Sequence, residues 1–146
     1  MKRFVFRLQA VLDLKERAEE QAQQALGTAL RAVAETEQAM ARLIAQRDQT
    51  LRGSADAAPE ARAAAWAWAE ALNECHAEAQ HQLVYLRAEV ETRRSALARV
   101  AAERRAVEKL RERALNEYRA ELQRREQIQL DEIAGSRHEW ARRQAG

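Results

Sequence analysis

The chain has 146 residues, a third of them charged, a net charge of only +2 and 5% aromatics. Its 47% hydrophobic content is carried by alanine, 33 residues in all. Such a chain fits one domain but not a globule with a conventional core. Alanine buries little surface and has the highest helix propensity, and this composition marks long helices and coiled coils. The single cysteine, Cys75, excludes an intrachain disulfide framework and suits a reducing compartment. No run approaches the ~20 apolar residues of a membrane span, and the basic opening Met1–Arg7 lacks the apolar core and cleavage site of a signal peptide. These features predict a cytoplasmic soluble protein.

In chain order, the first element is a helix predicted from about Phe4 to Leu51. Its apolar residues form two rows spaced by seven. One row is Leu12, Leu26, Val33 and Met40, interrupted by Glu19. The other is Leu8, Ala22, Ala29 and Leu43, interrupted by Lys15 and Thr36. This three–four alternation is the seam of a left-handed coiled coil. Gly27 weakens the helix without breaking the pattern.

The stretch 53–59, Gly-Ser-Ala-Asp-Ala-Ala-Pro, holds the only proline. Glycine past a helix end accepts a left-handed backbone, and proline is tolerated in the first turn of the next helix. The stretch is therefore predicted to be the turn of a hairpin, the competing reading being a flexible linker inside one broken rod. Only a hairpin lets the two apolar stripes bury each other.

Helix two is predicted from about 60 to 134. Leu83, Val90 and Leu97 form one row; Leu72, Ala79, Leu86, Val100 and Val107 form the other, with Arg93 and Arg104 as interruptions. After Val107 the spacing drifts to fours at Leu110, Ala114, Tyr118 and Leu122, so the strict seam ends or repacks there. Gly135-Ser136 is read as an exit or kink and 135–146 as a frayed tail. A turn centred on Asp56 would set Phe4 beside about Glu108. About 25 further residues, ~40 Å of helix, would then overhang with Leu115, Tyr118, Leu122, Ile128, Leu130 and Ile133 unpartnered. The fold class is thus all-α, a long antiparallel two-helix coiled-coil hairpin with a longer second helix.

The charge is uneven. Residues 53–92 carry 2 basic and 7 acidic groups, and residues 93–146 carry 14 and 9. Such a layout could orient partners, although charged runs are also ordinary solvated helix faces. The later basic residues are interleaved with Glu103, Glu108 and Glu112, and aromatics for base stacking are scarce, which argues against nucleic acid. There is no Gly-rich phosphate loop. His76 and His81 diverge around a helix, and Cys75 and His76 lie on different faces. No catalytic, metal or cofactor residue is assigned, and the chain is read as a non-enzyme. Trp66 and Trp68 flank the seam positions Ala65, Ala69 and Leu72. They serve either as lids over small alanines or as an aromatic docking patch near the turn.

The opening Phe4-Val5-Phe6-Arg7-Leu8 through Lys15 resembles the start of flagellar FliJ proteins. Val107-Glu108-Lys109-Leu110-Arg111-Glu112-Arg113 is similar to a basic Leu-Glu-x-Leu segment of that family, with valine where leucine is usual, and Glu126 followed by Leu130–Ala134 to its Leu-Asp-Glu terminus. The resemblance implies a component of the flagellar type III export apparatus, like the central stalk of a rotary ATPase. Its implied partners are the hexameric export ATPase FliI, a FliH-like regulator, the export gate protein FlhA and export chaperones. Localisation would be cytoplasmic, peripheral to the inner membrane through that apparatus and without direct insertion. ATPase contact would fall on Phe4, Leu8, Val11, Lys109, Leu110, Arg111 and Arg113, and on Leu130, Asp131, Glu132 and Ile133. By elimination the gate would meet Trp66, Trp68 and Leu72. The stalk protein of a virulence-type secretion system and a generic coiled-coil adaptor are the alternatives.

Overall fold

A computed structural model describes residues 2–146. Two helices account for nearly all of them, α1 over Gln9–Gly53 and α2 over Pro59–Ala145. They pack against each other as an antiparallel coiled-coil hairpin, with no strand among the described residues. The chain divides into two compact units, Ala18–Ala101 and the residues up to Arg17 together with Ala102–Gly146.

The unit Ala18–Ala101 contains the turn. Along α1 the covered positions include Ala22, Leu26, Ala29, Val33, Thr36, Met40 and Leu43, the predicted alternation with its threonine. On α2 Ala69, Leu72, Leu83 and Val90 are buried. The alanines matter because a two-helix seam has no third layer; small side chains let the helices approach and shield the few large ones. Across the seam Arg47 Nη1 donates to Asn73 Oδ1 (2.9 Å) and Arg87 Nη2 to Glu37 Oε1 (3.1 Å). Such exposed pairs contribute about 0–1 kcal/mol, so they fix alignment more than stability.

The turn lies where the sequence places it, but not by the expected device. No glycine has a positive φ among the described residues. Gly53 is the last residue of α1, and the chain leaves through Ala55 N–H to Arg52 O (3.4 Å) and the Ser54 hydroxyl to Leu51 O (3.2 Å). These i to i−3 contacts occupy the carbonyls a helix end leaves open. Ala57 N–H to Ser54 O closes the turn, and Pro59 opens α2 where it forgoes no hydrogen bond.

In the other unit α1 begins at Gln9, not Phe4. Residues 2–6 are non-helical and 7–8 form a turn, with Gln9 N–H bonded to Phe6 O at 3.1 Å. The first turn of α1 has no acidic residue, and Leu8 cannot cap it. Leu12 is buried, and Lys15 Nζ meets Glu103 at 2.8 Å. A turn mirrored about Asp56 would have put Lys15 near residue 97. The observed pairing is farther along α2.

α2 also differs at its end. It stays helical through Gly135 and Ser136 to Ala145, where an exit and a frayed tail were expected. Ser136 bonds its hydroxyl back to Glu132 O (2.9 Å) inside the helix, and the glycine has helical backbone.

Two substitutions check this account by thermal unfolding followed by circular dichroism. Leu83→Ala empties a buried seam position and should cost about 2–3 kcal/mol. A Cβ added at Gly27 would meet nothing within 4 Å, so Gly27→Ala should stabilise by about 0.5–1 kcal/mol.

Candidate functional site: the N-terminal strap on the second helix

The segment before α1 alternates. Phe4 and Phe6 are half-buried while Arg3, Val5 and Arg7 are exposed, Val5 at 78%. That is the period-two pattern of extended chain, and it turns both rings toward the protein. Phe4 packs on the Tyr118 ring with centroids 5.4 Å apart at 51°. The Tyr118 hydroxyl donates to Lys2 O at 2.9 Å. One α2 side chain thus holds both the backbone and an aromatic ring of the segment, which acts as a strap.

The strap extends a registry that the helices already set, since Lys15 pairs with Glu103 where a mirror about Asp56 would give residue 97. Extended chain advances about 3.3 Å per residue against about 1.5 Å in a helix, so a short strap reaches twice as far along α2. Phe4 meets Tyr118, where continuous helix in the register of the Lys15–Glu103 pair would have put it near Ala114. Ala114, Leu115, Tyr118 and Leu122 are half-covered, correcting the expectation that Leu115, Tyr118 and Leu122 lack intrachain cover. The uncovered part of α2 starts only after Leu122, and there Ile128, Leu130, Ile133 and Trp140 are exposed.

The candidate ATPase-contact residues fall within this unit. Leu8, Val11 and Leu110 are partly exposed, and Lys109, Arg111 and Arg113 are exposed. Arg3, Val5 and Arg111 line one shallow groove whose other walls are Phe4, Phe6 and Gln9. Leu130 and Ile133 are exposed on the uncovered helix; Asp131 accepts from Gln127 (3.0 Å), and the Glu132 side chain is exposed. This last set is separate from the strap. Sequence reading missed Arg3, Val5 and the Tyr118 latch, although the Phe-x-Phe alternation carried the signal.

In the unit that holds the turn, Trp66 and Trp68 are exposed at 66% and 51%. Both rings therefore stand largely in solvent rather than closing over the seam. Leu72 is 5% exposed. It belongs to the core and can only support a surface, because a side chain spent on the seam has no area left for a partner. Val84 and Tyr85, also exposed, were not singled out from sequence.

Comparison with known proteins gives a direct result. A family model described as Flagellar FliJ protein matches residues 4–144. The chain belongs to the FliJ family. Neither a curated protein nor a solved structure matches it. Membership makes it a component of the flagellar export apparatus, and the match begins at Phe4, the strap residue that Tyr118 holds. Among the described residues no helix is long and apolar enough to cross a membrane.

The latch has a measurable signature. Tyr118→Phe keeps the ring pair and loses one hydrogen bond, whereas Tyr118→Ala removes both, each worth about 1 kcal/mol. Heteronuclear NOE values for residues 3–7 should fall toward those of a free terminus in the alanine variant and change little in the phenylalanine variant.

Proposed function

We propose that this FliJ-family chain is a non-catalytic, stalk-like coiled coil of the flagellar export apparatus. The unit carrying the strap engages the export ATPase ring, and the unit carrying the turn engages the export gate. The observation that carries the first half is the gathering of Leu8 and Val11 with Lys109, Leu110, Arg111 and Arg113 in one compact unit, where Phe4 serves by packing the strap on Tyr118. Leu130, Asp131, Glu132 and Ile133, on bare helix, extend the contact. The exposed Trp66 and Trp68 support the gate assignment, since solvent-facing tryptophans are the strongest single contributors at interfaces. Delivery of chaperones and contact with a FliH-like regulator would follow from residence at the ring, in the cytoplasm and peripheral to the inner membrane.

The mechanism is conformational. An asymmetric coiled coil in a symmetric ring touches each subunit differently, so it can bias assembly and the states of individual subunits. It does so only as far as it binds those states with different affinity. No residue of this chain needs to touch nucleotide.

The test is a pull-down with the cognate export ATPase and a parallel ATPase assay, using the full chain and a truncation after Leu122 that keeps the strap covered. The full chain should bind and stimulate, and the truncation should bind more weakly and stimulate less. Equal behaviour of the two would remove Leu130–Ile133 from the contact; absence of binding by the full chain would overturn the ATPase reading. Independently, Trp66→Ala combined with Trp68→Ala should lower gate binding about tenfold or more, within the range for interface hot spots, with helicity unchanged. Unaltered gate affinity would remove the tryptophans from that role.

A further inference from the structure

Some cationic side chains along the two helices are held by a carboxylate. Lys15 meets Glu103, Arg87 meets Glu37, Arg93 meets Glu89, Arg94 meets Glu91, Arg104 meets Glu108, and Arg124 and Arg125 share Glu121. Among the described residues no ion pair engages Arg3, Arg7, Lys109, Arg111 or Arg113. Nearby carboxylates are partly occupied: Glu108 is bound by Arg104 (2.6 Å), and Asp13 accepts from Gln9 (3.0 Å). Residues 2–8 carry Lys2, Arg3 and Arg7 and no acidic group, so an excess of positive charge borders an exposed apolar side chain, Val5, in a groove that Arg3 and Arg111 also line.

We propose that the outward edge of the strap, Arg3, Val5 and Arg7, forms with Arg111 of α2 a docking groove for an acidic, amphipathic segment of a protein partner. This deepens the reading of this unit as the ATPase-binding one. Two guanidiniums lining one groove suit carboxylates, which they grip in a planar, two-pronged fashion, and Val5 offers one apolar contact in the same groove. Phe4 and Phe6 are spent on the chain itself. Tyr118 is a positioning residue: it holds the strap on α2 and so keeps Arg3 in the groove that Arg111 lines. An anionic membrane would also attract the cations, but with both phenylalanines turned inward, Val5 alone is too little apolar surface to anchor in a bilayer.

The experiment measures binding of the full-length chain to a fluorescent peptide that repeats Glu-Leu-Glu-Glu-Leu, by anisotropy at low and high salt. Binding should be salt-sensitive and should fall tenfold or more in Arg3→Ala/Arg111→Ala. Arg124→Ala, which removes a cation already paired with Glu121, should leave it within twofold. Tyr118→Ala should weaken it, with recovery in Tyr118→Phe. No binding, or equal binding by the groove double variant and the Arg124 variant, overturns the proposal. So does binding to vesicles with a third anionic lipid that exceeds peptide binding. The same variants against the export ATPase separate the two ideas. Peptide binding without ATPase binding keeps the groove and removes the ATPase as its partner; ATPase binding indifferent to Arg3→Ala/Arg111→Ala keeps the partner and removes the groove.

Discussion

Everything in this molecule depends on burial along one narrow seam. With two helices and no third layer, a side chain is either on that seam or in water, and among the described residues only Leu12, Ala29, Ala69, Leu72, Leu83 and Val90 are buried. Stability must then come from many half-covered positions acting together rather than from a few large residues. The consequence for function is that the surface is nearly free to vary. Residues off the seam carry little structural duty, so a strap, a pair of tryptophans and a cluster of unpaired cations can be placed there without loss of fold.

The strap shows how extension substitutes for length. In the register of the Lys15–Glu103 pair, continuing α1 helically to Phe4 would cover α2 only to about Ala114. Unwinding residues 2–6 carries the same few residues to Tyr118, and the hydroxyl of that tyrosine satisfies a backbone carbonyl that no helix serves. The alternation of the extended segment then separates two tasks on adjacent residues. Phe4 and Phe6 hold the chain together while Arg3, Val5 and Arg7 face outward.

Much of this was legible in the sequence for a definite reason. A period of three and four over nine turns is hard to produce by accident, and even its polar interruptions, Lys15 and Thr36, proved to be seam positions with partners: Lys15 on Glu103, Thr36 on the carbonyl of Ala32. Gly53 and Pro59 located the turn because both are poor inside helices. What was not legible turned on local competition. Phe4 to Leu8 contains nothing that forbids helix, so its unwinding follows from the ring and hydroxyl of Tyr118, 116 residues away from Lys2. Gly135 was read as a stop because glycine disfavours helix, yet one glycine flanked by good helix formers costs too little to end α2. Leu72 looked like a surface candidate only through its neighbours Trp66 and Trp68; its own place in the rows had already assigned it to the core.

The central claim is that one short segment faces two ways, inward to the chain and outward to a partner. The most direct measurement puts the photo-crosslinker p-benzoylphenylalanine at position 4 or at position 5 of the full chain, in the presence of the export ATPase. The account predicts an intramolecular crosslink to α2 around Tyr118 from position 4 and a crosslink to the ATPase from position 5. Capture of the ATPase from position 4, or of α2 alone from position 5, would contradict it.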